Sequence, residues 1–221
     1  MKEIIIIGAG DFGKEVAWLI EDINKITPTY IILGFLDDTI EKIGTSVNGY
    51  NVLGPVSCLP DIIKKNPACA TIAIQNSQGR KKIVDMLPDF DRWETLIHPN
   101  VNISETSRVG IGSIICSGVN ISVNSSVGNF SIINIGSVIE NDCVVDDYAS
   151  VMCKTVVGSH SIISHHAYLG SNCTVTAHRT IGVEAQVGPG SVVVNDIAEG
   201  TTVIGVPAKK GLFDGERYSY L

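Results

Sequence analysis

Two rhythms of apolar residues divide the chain. From Ile103 to Val193 an aliphatic residue recurs every six positions without a miss. The run passes through Val109, Ile115, Ile121, Val127, Ile133, Ile139, Val145, Val151, Val157, Ile163, Leu169, Val175, Ile181 and Val187. Four residues after each as far as Val187, the position is mostly small, as at Ser113, Ser125, Ser131, Cys143, Ala149 and Ala167, with Val119 and Arg179 as exceptions. Neither an α-helix nor a two-sheet sandwich repeats every six residues. A parallel β-helix built from hexapeptides does, with three hexads to a triangular coil of about 18 residues. The aliphatic residue then points into a narrow prism, and the small one fits where the chain turns near a corner. Each coil hydrogen-bonds its neighbours at about 4.8 Å spacing, so the run predicts about five coils.

Ahead of this run the pattern is that of an alternating α/β chain. Residues 3–7 read as a buried parallel strand, followed at once by Gly8-Ala9-Gly10-Asp11-Phe12-Gly13 and by helical spacing from Lys14 to Ile20. Strand, glycine turn and helix is the context in which G-x-G-x-x-G holds a phosphate on helix N-terminal amides. A second strand over 30–36 ends in Asp37-Asp38, about where a ribose-binding acid sits in a dinucleotide fold. A third, over 70–74, leads into Gln75-Asn76-Ser77 and the cations Arg80-Lys81-Lys82, which read as a solvated helix face. Candidate substrate-binding residues are Gly8, Gly10, Asp11, Phe12, Lys14, Asp37, Asp38 and Asn76. The competing reading is a tight βα turn and nothing more. Three or four strands make roughly half of a dinucleotide domain. A nucleotide-linked ligand is therefore favoured over NAD.

The expected fold is thus an α/β, Rossmann-like half-domain over 1–97, then an all-β left-handed parallel β-helix over 98–207 and a tail over 208–221. Charge sharpens the division. The chain has 221 residues with 16 Lys+Arg and 23 Asp+Glu, a net −7. Residues 1–97 hold 23 of the charged side chains and the longer remainder only 16. That excludes a disordered chain and disfavours nucleic-acid binding through net positive charge. No apolar run reaches the roughly 18–20 residues of a membrane span, and the six cysteines form no C-x-x-C pair. Reduced thiols in a cytoplasmic protein, with no metal, are the expectation.

The hexad array resembles the left-handed β-helix acyltransferases. More closely, residues 4–209 resemble bacterial sugar acyltransferases that include sialic-acid O-acetyltransferases and the nucleotide-amino-sugar N-acetyltransferases of bacillosamine pathways. The markers are Gly8-Ala9-Gly10, Gly34-Phe35-Leu36-Asp37-Asp38, Ile72-Ala73-Ile74, Arg80-Lys81-Lys82-Ile83, Leu96-Ile97-His98-Pro99 and Gly205-Val206-Pro207-Ala208-Lys209. The resemblance implies a homotrimer, acetyl-CoA lying along the β-helix between subunits, and a UDP- or dTDP-amino sugar on the N-terminal domain. It places CoA contacts at Ser150, Ser159, Gly170, Ser171, Gly188 and Pro189, and Lys209 and Lys210 at the helix exit read either as partners of the CoA phosphates or as a plain solvated tail.

The chain departs from that family where the chemistry sits. The family has a His followed by an acid, in the context Val-Glu-His-Asp-Cys; here the stretch is Ile139-Glu140-Asn141-Asp142-Cys143. A second family His is matched by Ser150. An amide cannot accept a proton at neutral pH. Residues one coil apart stack on one edge, so Asp142, His160 and His178 form a ladder beside Asn141. They read either as polar turn residues or as a displaced base, His160, oriented by Asp142. His165 and His166, at another corner, read as structural or interfacial, and His98 as a cap on the first coil. A sugar hydroxyl needs its base; a sugar amine is already partly neutral and needs chiefly positioning. The expectation is therefore an N-acyltransferase with Glu140, Asn141 and Asp142 holding the amine. The alternatives are an O-acetyltransferase using His160 and a non-catalytic trimeric binding member.

Overall fold

Ile4, Ile5, Ile6 and Ile7 are all fully buried because their strand is covered on both faces. This strand, β1 (Lys2–Ile7), is central in a five-stranded sheet. β2 (Tyr30–Leu36) and β5 (Cys69–Ile72) pair parallel to it on either side. Beyond β2 lie β4 (Tyr50–Gly54), parallel, and β3 (Ser46–Val47), antiparallel, giving the order β3-β4-β2-β1-β5. Ile4 and Ile6 pack with α1 (Asp11–Ile26). Ile5 and Ile7 pack with α2 (Leu59–Lys65) and α3 (Ser77–Met86). The sheet is wider than the expected three or four strands, and the addition is the β3–β4 hairpin. Its turn is Asn48-Gly49, with φ of 49° and 86°, the two positive values a tight two-residue hairpin requires.

The computed structural model describes residues 1–65 and 67–211, so most of the expected tail lies outside the described residues. From Leu96 the chain winds as a left-handed β-helix of two-residue strands on three faces. Face I starts with Leu96–Ile97, just inside the stretch assigned to the first domain. It continues through Ile114–Ile115, Ile132–Ile133, Ser150–Val151, Tyr168–Leu169 and Gln186–Val187 to Thr202–Ile204. Lys209–Lys210 closes it as an antiparallel edge. Face II runs from Asn102–Ile103 to Val192–Val193, and face III from Arg108–Val109 to Thr180–Ile181. The hexad aliphatics from Ile115 onward are almost wholly buried and form one continuous core.

The corners are as regular as the core. A positive φ recurs every six residues from Gly112 to Gly190, always between 52° and 71°. Three columns result: Asn124, Asp142, His160 and His178 between faces II and III; Gly112, Phe130, Tyr148, His166 and Glu184 between III and I; Gly118, Gly136, Lys154, Asn172 and Gly190 between I and II. The small positions do more than save space. The Ser113 hydroxyl donates to the Gly128 carbonyl (2.7 Å) and accepts from Ser131 N–H (2.9 Å); Ser125 does the same with Glu140 and Cys143. Each such hydroxyl ties one coil to the next.

The N-terminal domain sits on face I. There the outward residues Ile114 and Ile132 are buried with α1 and the sheet. It also covers the second corner column, where Phe130 packs among residues of α2 and α3.

Candidate functional site

The glycine loop follows β1 directly. A Cβ on Gly8 (φ 106°) would lie 2.7 Å from the Ala73 carbonyl, and one on Gly13 would collide with the Gly8 carbonyl. A Cβ on Gly10 would meet nothing within 4 Å. The first and third glycines therefore let loop, helix and sheet close up, while the second leaves open space above the start of α1. Gly10 caps α1 without any side-chain hydrogen bond, so the first-turn amides are open to an anion. A cavity of about 420 Å³ lies there. It gathers Gly8, Gly10, Asp11, Phe12, Asp37, Asp38 and Asn76, seven of the eight residues expected from the sequence. Lys14 is not among the lining residues; its ammonium pairs with Asp11 at 2.8 Å.

Within this pocket the acids have different tasks. Asp37 accepts from the Ala9 N–H (2.8 Å), the Thr39 N–H (2.9 Å) and the Lys42 ammonium (3.2 Å). Burial works against its charge, but the donors from Thr39, Ala9 and Lys42 prevail and hold the carboxyl below its usual range. Asp37 thus fixes the glycine loop itself. Asp38 accepts from Val56 N–H (2.9 Å) and has its other oxygen for a ligand. Glu15 also lines the cavity, and burial pushes its carboxyl up. The sequence reading missed it, although it lies one helical turn after Asp11 on the same face.

The second cluster lies at the corner between faces II and III. Ser159 donates its N–H to Glu140 Oε2 (2.9 Å), and its hydroxyl lies 2.8 Å from both Glu140 Oε2 and Asn141 Oδ1. One hydroxyl hydrogen serves one of these oxygens at a time, which leaves an acceptor for an N–H brought by a ligand. Asn141 Nδ2 donates to Asp142 Oδ2 (2.7 Å), and Asn124 Nδ2 to Asp142 Oδ1 (3.1 Å). These two amides hold the Asp142 carboxyl below its usual range. His160 Nε2 stands 3.8 Å from Asp142 Oδ2, and its ring stacks on His178 at 4.7 Å. The ladder expected from the one-coil spacing is therefore present, beside Asn141.

The expected CoA residues fall into separate groups within one chain. Ser159 belongs to the Asn141 cluster. Gly170, Ser171, Gly188 and Pro189 stack in adjacent coils at the corner between faces I and II, and Lys209 lies exposed on the last strand. Ser150 must be reassigned. It is 1% exposed beneath the N-terminal domain, and its hydroxyl accepts from Arg80 (2.9 Å), so it offers no surface to CoA. Arg80 is the matching correction on the other side: it is also 1% exposed, whereas Lys81 and Lys82 keep to the surface side of the helix. His98 caps the first coil as expected, accepting from Asn100 N–H (3.0 Å) while its Nε2 faces Asp22 (3.2 Å). His166 stacks on Tyr148 at 5.1 Å. Among the described residues no three His, Cys, Asp or Glu side chains gather as metal ligands, and no helix is long and apolar enough to cross a membrane.

Comparison with known proteins adds to this geometry. Residues 3–87 match the PglD N-terminal domain. A UDP-N-acetylbacillosamine N-acetyltransferase of Bacillus subtilis (strain 168) is 29% identical over 117 residues, 52% of this chain. The match spans 51% of that curated relative, about half its length. WeeI of Acinetobacter baumannii AYE is 31% identical, with 96% of this chain and all of that one covered at a TM-score of 0.77. A His-to-Asn variant of perosamine N-acetyltransferase from Caulobacter crescentus, solved with CoA and GDP-perosamine, is 28% identical. It covers 96% of this chain and 97% of its own at a TM-score of 0.85.

Proposed function

Because the chain belongs to the PglD-like family of bacterial sugar acetyltransferases, we propose that it transfers an acetyl group from acetyl-CoA to the amine of a nucleotide-linked amino sugar in surface-glycan biosynthesis. The observation that carries this reading is the polar corner. The family's His is absent, yet the site is not dismantled: Asn141 is held between Ser159 and Asp142, with Glu140 on the same hydroxyl. A relative with a His-to-Asn change, bound to CoA and a nucleotide amino sugar, supports a site of this kind keeping both ligands.

In this reading the sugar's nucleoside diphosphate occupies the glycine-loop cavity, its phosphates at the start of α1 and its ribose toward Asp38. The amine arrives largely by positioning. Glu140 Oε2 or Asn141 Oδ1 accepts one of its hydrogens, and its lone pair attacks the thioester carbonyl carbon. The C–N bond forms, the C–S bond breaks, CoA leaves as thiolate, and the amine's surplus proton ends on that thiolate through solvent. Backbone N–H groups of the coil polarise the carbonyl. Asp142, kept ionised by two amides, stabilises the ammonium charge that develops during attack.

The two halves of the site support a homotrimer. The cavity lies beside face I of its own chain, whereas the Asn141 corner lies between faces II and III. Val144 and Ile162, apolar and exposed next to that corner, suit a neighbouring copy that brings its own cavity there. We read the assembly as cytoplasmic.

The test is an acetyl-CoA assay with UDP-, dTDP- and GDP-linked amino sugars, following thiol release and the mass of the sugar. N-acetylation of one of them, largely retained in His160→Ala, is the expected result. Turnover with free sialic acid alone, abolished by His160→Ala, would replace this reading by O-acetyl transfer. Tight acetyl-CoA binding without transfer, even in Asn141→His, would replace it by a binding role.

A further inference from the structure

Arg80 is the largest fully buried side chain among the described residues, and it has no carboxylate partner. Its guanidinium is satisfied by backbone carbonyls and one hydroxyl drawn from three stretches of chain. Nη1 donates to Ile74 O (2.9 Å) and Gln75 O (2.8 Å). Nε donates to Phe130 O (2.8 Å), and Nη2 to Tyr148 O (2.6 Å) and Ser150 Oγ (2.9 Å). The first pair belongs to the cavity rim, since Ile74, Gln75 and Asn76 line it. The rest belong to two successive coils of the β-helix. Burial pushes the guanidinium down to about 9, so it remains charged at neutral pH, in a site that stabilises it with oxygen dipoles alone.

A buried, unpaired charge of this kind is an expensive way to staple two domains together. Apolar residues of similar volume often do that as well or better. What an apolar contact lacks is direction. The planar fork fixes several carbonyl oxygens in one geometry, which lysine's point charge cannot reproduce. Asn76 supports the same rim from the other side, capping α3 through Gly79 N–H (2.8 Å).

We propose that Arg80 is a positioning residue for the nucleotide pocket, holding the rim at residues 74–76 in register, through Ser150, with the fourth strand of face I of the β-helix. It touches no ligand itself. This rests on the glycine-loop cavity being the nucleotide site, and the experiment separates the two claims.

UDP, dTDP and GDP are titrated into the full-length protein, and acetyl-CoA separately, by calorimetry at a temperature where near-UV circular dichroism shows each variant fully folded. Binding of no diphosphate by the wild-type protein removes the pocket reading itself. With one bound, Arg80→Lys is expected to weaken it at least tenfold and to leave acetyl-CoA affinity within twofold. Ser150→Ala, which alters no lining residue, is expected to weaken the diphosphate two- to threefold and keeps the proposal testable should Arg80→Lys fail to fold. Unchanged diphosphate affinity in a folded variant, or equal losses for both ligands, would overturn it and leave Arg80 a staple. Steady-state kinetics add an independent check. The expected change is a higher KM for the nucleotide sugar with KM for acetyl-CoA unaltered.

Discussion

Two corners of the β-helix share one backbone and differ in everything it carries. Between faces III and I, Phe130, Tyr148 and His166 stack in successive coils at 5.3 and 5.1 Å, and Trp93 meets Phe130 edge-on at 5.6 Å. Between faces II and III, Asn124, Asp142, His160 and His178 occupy the same position in the hexad with the same positive φ. The first column is roofed by the N-terminal domain and the second faces outward. A left-handed corner conformation is costly for side chains in general, and most tolerable for Gly and Asn. Here it is imposed by the winding, and the side chain is free to answer to whatever covers it. One corner has become a domain interface and the other a reactive edge.

The contrast breaks most visibly on removing Phe130. Phe130→Ala takes away the ring that Trp93 and Tyr148 pack against, and a cost of about 3–5 kcal/mol is expected for such a buried aromatic. Denaturant unfolding measures it. His178→Ala, at the matching position on the exposed corner, should fall within about 0.5 kcal/mol of wild type. Similar losses from both would mean that the corners are not energetically distinct.

Activity sharpens the comparison from the other side. Asn141→His restores a proton acceptor beside Asp142, and a positioned general base contributes about 10²–10⁴-fold in rate. Amine transfer needs that base less than hydroxyl transfer does, so a gain in kcat near the lower figure is expected, with little change in stability. An unchanged kcat with a folded protein would show that proton removal does not limit the reaction.

How much of this was legible depends on whether periodicity carries the information. The β-helix was readable because every coil repeats the same steric demand, and the Asp142–His160–His178 ladder follows from the one-coil spacing. The glycine-loop cavity was readable because strand, turn and helix are consecutive. Arg80 was misread as solvated because its charge outweighed its position. It stands three residues before Ile83 on the buried side of α3, and seven before Leu87, the buried residue that caps the helix. The β3–β4 hairpin was missed although Asn48-Gly49 is a strong turn signal, since a two-residue β3 and a five-residue β4 are too short to show a clear periodicity. The reassignment of Ser150 lay beyond any local pattern. A serine on face I is outward-facing in the hexad, and only the docking of a second domain buries it.

The subtlest difference between the corners is their response to acid. Burial pushes the His166 imidazole below its ordinary value, with Arg80, His165 and Lys81 acting the same way and Glu184 opposing them. Its Nδ1 is buried without a hydrogen-bond partner. A histidine depressed in this way binds its proton more readily in the unfolded chain. Its contribution to stability is therefore complete above the unfolded pKa, near 6.5, and is lost as pH falls from there toward the lower folded value. Unfolding midpoints measured from pH 7.5 down to 5 should fall in the wild-type protein. His166→Phe keeps the stack on Tyr148 and removes the titrating group, so it should flatten that part of the slope. A slope that survives His166→Phe would place the acid sensitivity elsewhere, and the two corners would then differ in packing alone.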